Sequence, residues 1–331
     1  MKAFVHKGTK GMVGTFYQDM DEQKPNKGEV SVKMKVAGLN HRDLFVLQKH
    51  DETDSALIIG SDGAGIVESI GKGVTRVAVG DEVVINPSLG WINQSDAPPE
   101  NFQIVGLPGH GTFAEKVIIS EKNLEKKPTH LTWEESGVFS LAALTAYRAL
   151  FTRAKISSED TVLLPGVGSG AVTFLLLFAK AAGARVIVTS RSEKKRQKAL
   201  ELGADIAIDS ESDWNEALDG EKVDVVVETV GAATFQKSLD QLRKGGTMVT
   251  FGASAGDTVS LDLRSFFYGQ YNLLGTTMGS QEEYQKMLSF ISKHEIKPVI
   301  DTTFPLKDTK QALERLADAK QLGKIALVVE E

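Results

Sequence analysis

The stretch Gly166-Val167-Gly168-Ser169-Gly170-Ala171 constrains this chain more than any other. It is a G-x-G-x-x-A turn with an apolar run, Thr161–Leu164, before it and a helical pattern, Ser169–Ala182, behind it. In such a turn the first glycine permits the tight reversal and the second lets backbone approach a pyrophosphate. The third position, which accepts alanine, packs helix on strand. The helix N–H groups and macrodipole then face the phosphates. Ordinary loops produce such a turn by chance. Here a second apolar run, Val186–Thr189, follows about twenty residues on, as dinucleotide binding requires. The run Phe174 to Phe178 makes the helix itself a buried core element.

Choice of cofactor falls to the end of that second strand. NAD-binding folds place a carboxylate there for the ribose 2′-hydroxyl, whereas an arginine accommodates a 2′-phosphate. This chain reads Thr189-Ser190-Arg191-Ser192, followed by Glu193, Lys194 and Lys195. No carboxylate ends the strand, cations cluster just after it, and Ser190 and Ser192 add hydroxyls for phosphate oxygens. Glu193 belongs to a helix's first turn, where the dipole favours it. The cluster favours NADP(H), the alternative being a solvated helix start.

From about residue 128 to 278 the pattern alternates. A helix over Ser192–Leu202 has Ser192 as N-cap and Gly203 as the residue that ends it. Strands follow at Ile206–Asp209, Val223–Val227, Thr247–Phe251 and Asn272–Thr276, which predicts a parallel sheet with right-handed crossovers. Val230-Gly231 and Phe251-Gly252 end the fourth and fifth strands, at the carboxyl edge where open sheets bind ligands, so cofactor contact is expected there. Residues 1–127 differ. Val30, Val32, Met34 and Val36 alternate with polar residues, and glycines punctuate Gly65–Ile70 and Val77–Ile85 into short strands, which suggests a partly open barrel. The Pro87–His110 stretch reads as a long loop. Residues 279–331 carry an amphipathic helix near Glu282–His294 and short strands, and read as a return to the first domain.

At 331 residues the chain suits two domains. The net charge of −6 argues against a nucleic-acid surface. Without a cysteine, disulfides and thiolate zinc sites are excluded. No apolar stretch approaches the roughly 20 residues that span a bilayer, and the expectation is a soluble cytoplasmic protein without a membrane partner.

The order of these features, with Ala37-Gly38-Leu39-Asn40-His41-Arg42-Asp43, Gly60-Ser61-Asp62-Gly63-Ala64-Gly65, Gly80-Asp81-Glu82-Val83, Gly111-Thr112-Phe113-Ala114-Glu115, Leu144-Thr145-Ala146-Tyr147-Arg148 and Gly323-Lys324-Ile325, resembles the medium-chain dehydrogenase/reductase superfamily. The likeness runs along essentially the whole chain. It implies an α/β fold: a GroES-like, partly open β-barrel catalytic domain (1–127), a Rossmann doubly wound domain (128–278) and a returning segment (279–331). Zinc-dependent relatives place a cysteine at Asn40, a histidine at Ser61 and a second cysteine about at Leu141. Three protein ligands are usual for catalytic zinc, and all are absent here, so no metal is expected.

The resemblance is greatest to the zinc-free quinone oxidoreductase-like branch. It implies that the Asn40 amide lies near the nicotinamide and the reacting carbonyl, that Asp43 orients its neighbours, and that Thr145 lies beside the carboxamide or substrate. A turn-capping role is the alternative for Asn40 and Asp43. Lys324 is grouped with the cofactor contacts, and His41 is read as structural. Relatives carry a tyrosine near Phe45, so the proton donor stays unnamed. The implied activity is NADPH-dependent hydride transfer to a quinone or similar conjugated carbonyl. Alternatives are enal or enone double-bond reduction, or NADPH binding without physiological turnover. A homodimer through Asn272–Thr276 is also implied.

Overall fold

The computed structural model describes residues 1–51 and 53–329. The chain forms two units, Met1–Leu144 with Gly279–Glu331, and Thr145–Met278.

The second unit is built on six parallel strands. Their spatial order is Ile206–Ile208, Arg185–Thr189, Thr161–Leu164, Val223–Glu228, Leu242–Thr250 and Asn272–Gly275, which in chain order is 3-2-1-4-5-6. This is the order of a dinucleotide-binding sheet, which the alternating pattern led one to expect. Val162, Leu163, Val186, Ile187, Val223 and Val226 are fully buried. Continuous branched apolar runs of this kind suit strands covered on both faces. The helices start where hydroxyls satisfy their free N–H groups: Ser169 Oγ accepts from Val172 N–H at 3.3 Å and Ser192 Oγ from Lys195 N–H at 3.4 Å. Helices Trp214–Ala217 and Leu263–Gly269 escape the apolar-run reading, and so do two further elements. Helix Ala232–Gln241 begins on Gly231, whose φ of +100° suits glycine, and residues 148–154 wind as a π-helix.

The first unit carries a seven-stranded sheet. Its path runs Leu124–Lys126, Glu82–Ile85, Asp62–Ile70, Glu29–Gly38, Lys324–Val328 and Ile300–Pro305, with Lys116–Ser120 also paired to Glu29–Gly38. Val30, Val32, Met34, Val67, Val83, Ile85 and Leu327 form its core. The expected strand over Val77–Ile85 shortens to Glu82–Ile85, because Asp81 turns back to accept from Ala78 N–H at 2.9 Å and Gly80 adopts φ +94°. The unit extends to Leu144 because helix Trp133–Gly137 lies flat on the sheet. A Cβ on Gly38 would fall 2.6 Å from Val138 Cα, and one on Gly137 would fall 2.6 Å from Val36 Cβ. Helix Gln281–Lys293 is tied to the same unit through Tyr284, whose hydroxyl bonds Ser140 at 2.7 Å. Among the described residues no helix is long and apolar enough to cross a membrane.

Candidate active site

In the first unit, sheet register assembles a buried charged cluster. Ala326 pairs with Gly38 and Val328 with Val36 in antiparallel sense, and Leu39 N–H donates to Ile325 O at 3.0 Å. Continuing that register sets Lys324 opposite Asn40. Strand Asp62–Ile70 flanks the other side, with Asp62 opposite Gly38. Lys324 Nζ donates to Asn40 Oδ1 at 2.6 Å and to Asp62 Oδ2 at 3.1 Å. Asp62 Oδ1 accepts from Leu141 N–H at 2.7 Å. Asp62 is 0% exposed, Lys324 3% and Asn40 6%. Burial drives the Asp62 carboxyl upward, and the Lys324 charge and the adjacent Asn40 amide pull it back. The amide's Nδ2, although close to Asp62, is buried and makes no hydrogen bond among the described residues.

Asn40 also starts helix His41–Lys49, which periodicity did not reveal. Asn40 N–H donates to Asp43 Oδ2 at 2.8 Å, and Asp43 N–H to Asn40 O at 2.9 Å. The capping alternative for these two residues is therefore real, and it leaves Nδ2 and Asp43 Oδ1 unused. Burial pushes the Asp43 carboxyl up to about 7, against the pull of Asn40 N–H and the cations Arg42 and Lys324. Arg42 reaches Ser61 Oγ at 3.2 Å and the carbonyls of Val105, Ile104 and Leu107 at 3.3–3.4 Å, tying the 104–107 loop to this helix. His41 meets the exposed Phe45 ring edge-on at 5.3 Å. Among the described residues no group of three or more His, Cys, Asp or Glu side chains could hold a metal ion.

In the second unit the glycine turn is a cradle. Gly166 and Gly168 take φ +76° and +142°. Val167 N–H donates to Thr189 O at 2.8 Å, and Gly166 N–H to Thr189 Oγ1 at 3.2 Å. The first N–H groups of helix Gly170–Ala181, those of Gly170 and Ala171, have no acceptor within the helix. A Cβ on Gly168 would lie 2.9 Å from Lys195 Nζ. Lys195 therefore brings its ammonium against the turn, while Arg191 and Lys194 are exposed. Arg196 is committed to Ser190 O at 2.7 Å and Asp209 Oδ2 at 2.8 Å.

Sequence reading had grouped Lys195 with the cations without singling it out. Its place three residues after the N-cap Ser192 was the signal. It also missed Glu228, a fully buried carboxylate that accepts from Val230 N–H at 2.7 Å, Gly231 N–H at 3.1 Å, Thr234 Oγ1 at 2.9 Å and Ser238 Oγ at 2.5 Å. Glu228 O also accepts from Phe251 N–H at 3.1 Å, so one residue shapes both the Val230-Gly231 and Phe251-Gly252 corners. Thr145, 7% exposed, lies in helix Ser140–Tyr147. Of the residues named from sequence, Asn40, Asp43 and Lys324 meet in the first unit. Gly166–Ala171, Ser190, Arg191, Lys194, Val230, Gly231, Phe251 and Gly252 gather at the carboxyl edge of the second unit's sheet. Lys324, grouped earlier with cofactor contacts, gives its ammonium to Asn40 and Asp62.

Residues 166–293 match the zinc-binding dehydrogenase family and residues 26–129 the alcohol dehydrogenase GroES-like domain. A zinc-type alcohol dehydrogenase-like protein of Schizosaccharomyces pombe is 34% identical over 93% of each chain. The chain belongs to the medium-chain dehydrogenase/reductase superfamily. This superfamily member is also 30% identical to a crotonyl-CoA reductase of Streptomyces collinus, over 83% of its own length and 69% of the relative. A solved NAD-dependent alcohol dehydrogenase superposes over 100% of both chains with a TM-score of 0.92 and 32% identity. As a medium-chain dehydrogenase/reductase it is an NAD(P)-dependent oxidoreductase. The open glycine cradle, the free helix N–H groups and the Lys195 ammonium fit the phosphates of such a cofactor.

Proposed function

We propose that the protein uses NADPH to reduce the carbon–carbon double bond of an α,β-unsaturated carbonyl compound, independently of zinc. The observation that carries this reading is the Asn40 amide, held at Oδ1 by Lys324 and left with a buried, unused Nδ2 donor. When bound, NADPH supplies the hydride. Asn40 Nδ2 donates to the substrate carbonyl oxygen as hydride addition at the β-carbon turns it into an enolate oxygen, and solvent water supplies the proton to the α-carbon. A neutral donor suits a charge that the substrate itself spreads, whereas an alkoxide from a simple aldehyde calls for a Lewis acid contributing several kcal/mol. The quinone acceptor expected from sequence shares this delocalisation. The likeness to a crotonyl-CoA reductase supports the double-bond reading over it. Steady-state NADPH oxidation with methyl vinyl ketone, crotonyl-CoA, benzoquinone and butanal, each with and without EDTA, tests the proposal. The enone or the thioester is expected to exceed butanal in kcat/KM by about 100-fold or more, with EDTA without effect. A butanal preference abolished by EDTA would sink the zinc-free reading. No turnover with any acceptor would leave a cofactor-binding protein.

For the cofactor, we propose that Arg191 and Lys195 select the 2′-phosphate. Charge-assisted hydrogen bonds contribute roughly 1.5–3 kcal/mol. Arg191→Ala and Lys195→Ala are each expected to weaken NADPH binding about tenfold or more and to spare NADH, read by fluorescence titration. Equal losses for both cofactors would assign these residues to the fold. A homodimer is the further expectation. Strand Asn272–Gly275 ends the parallel sheet, and beside it Leu263, Phe267 and Tyr268 are 70%, 52% and 66% exposed. An open edge flanked by apolar side chains invites a partner. Sedimentation at micromolar concentration should show a dimer, and Phe267→Asp with Tyr268→Asp should yield a monomer. A monomeric parent chain would refute it.

A further inference from the structure

The Lys324 ammonium has two acceptors in a buried setting, and they differ in kind. Asp62 balances its charge; Asn40 Oδ1 is neutral. A primary amide has one acceptor end and one donor end, and the two are interchanged by a flip. An ammonium 2.6 Å from one end settles the orientation, because a flipped amide would turn its N–H groups toward a cation. Lys324 thus holds Oδ1 to itself and leaves Nδ2, buried near Asp62, as the end of the amide without a hydrogen bond among the described residues. Electron density drawn toward the cation also leaves the amide nitrogen more positive, and hydrogen bonds in such a chain strengthen one another. The chain here runs from Leu141 N–H through Asp62 and Lys324 to Asn40.

We propose that Lys324, fixed by Asp62, is a positioning residue that orients and polarises the Asn40 amide, so that Nδ2 donates more strongly to the substrate oxygen. A buried cation then acts through a neutral side chain, in a site that lacks a metal's usual ligands. The inference rests on the reading of Asn40 as donor to that oxygen. It also gives the returning C-terminal segment a part in the site, since sheet register brings residue 324 opposite residue 40.

The test compares Asn40→Ala, Lys324→Arg and the neutral double variant Lys324→Met with Asp62→Asn, which keeps an acceptor for Leu141 N–H. Removing one oxyanion donor lowers kcat by about 100-fold or more in other enzymes. The double variant, which weakens rather than removes the donor, is expected to lose about tenfold or more in kcat for methyl vinyl ketone. Its NADPH dissociation constant should stay within about threefold, since the phosphate cradle lies in the other unit. Lys324→Arg, which keeps the charge, should retain more of the rate. Independently of turnover and cofactor, the Asn40 side-chain amide resonance, assigned by its loss in Asn40→Ala, should move upfield in nitrogen and proton in the double variant. If the double variant does not fold, the same shift is read in Lys324→Gln, which removes the charge but keeps a donor for Asp62. An unmoved resonance overturns the proposal. So does parental kcat in the double variant when Asn40→Ala is impaired. Parental kcat in Asn40→Ala overturns the reading beneath it.

Discussion

Lys324→Ala is expected to destabilise the protein by about 3–5 kcal/mol, because breaking a buried ion pair leaves an uncompensated charge. Asp62, with no exposed surface, would lose its cation and keep only neutral neighbours, the Leu141 N–H and the adjacent Asn40 amide. The contrast with a surface pair sets the scale. Lys180 and Asp205 lie closer, 2.8 Å against 3.1 Å, but their side chains are 29% and 37% exposed. There Lys180→Ala should lower stability by no more than about 1 kcal/mol. Urea denaturation of both variants at pH 7 gives the comparison, and adding Asp62→Asn to Lys324→Ala should restore part of the loss. The loss should also shrink in acid, where Asp62 takes up a proton and no longer needs its cation. Equal, small losses for the two lysines would show that the Lys324–Asp62 pair is not charged in the folded protein.

Asp43→Asn is expected to change the pH dependence of stability more than stability itself at any one pH. Burial holds the Asp43 carboxyl at about 7, above its ordinary value of 3.8. A group whose folded pKa is raised binds its proton more tightly in the native state. Its contribution is therefore full below about pH 4 and is lost as pH rises through about 7. A shift of this size is worth roughly 4 kcal/mol between those limits. Asparagine keeps an oxygen for the Asn40 N–H and cannot ionise. The variant should therefore gain on the parent by roughly that amount between pH 4 and pH 8. Urea midpoints for both proteins across this range measure it. Parallel profiles would mean that Asp43 titrates as an ordinary aspartate.

Much of the second unit was legible in the residues because its signals are local. Branched apolar runs, Ser169 and Ser192 as N-caps, and Gly183 and Gly203 as terminators place most strands and helices within a residue or two of those found, while the strand expected at Thr247 begins at Leu242. The helix over Ala232–Gln241 was not legible because no apolar run announces it. Its start depends on Glu228, whose carboxylate gathers the N–H groups of Val230 and Gly231 from within the fold. In the first unit, helix His41–Lys49 was hidden for a related reason. Its motif, Asn40 to Asp43, reads equally as a turn cap and as a reactive corner.

The sequence by itself determined the two-part architecture, the glycine turn with cations after the next strand, and the lack of the cysteines and histidine on which catalytic zinc depends in relatives. Each of these follows from residue identity at short spacing, where backbone geometry and side-chain chemistry act within a turn or two. Only the tertiary structure decided what Lys324, Asp62 and Lys195 do. Lys324 is grouped from sequence with the cofactor contacts. It becomes Asn40's partner because an antiparallel register brings together residues separated by most of the chain. Lys195 faces the turn because its helix packs its first turn beside Gly168, where a single Cβ would collide with it. Burial then sets the electrostatics: the same aspartate that would ionise near 3.8 in water holds its proton to about 7 once water is excluded.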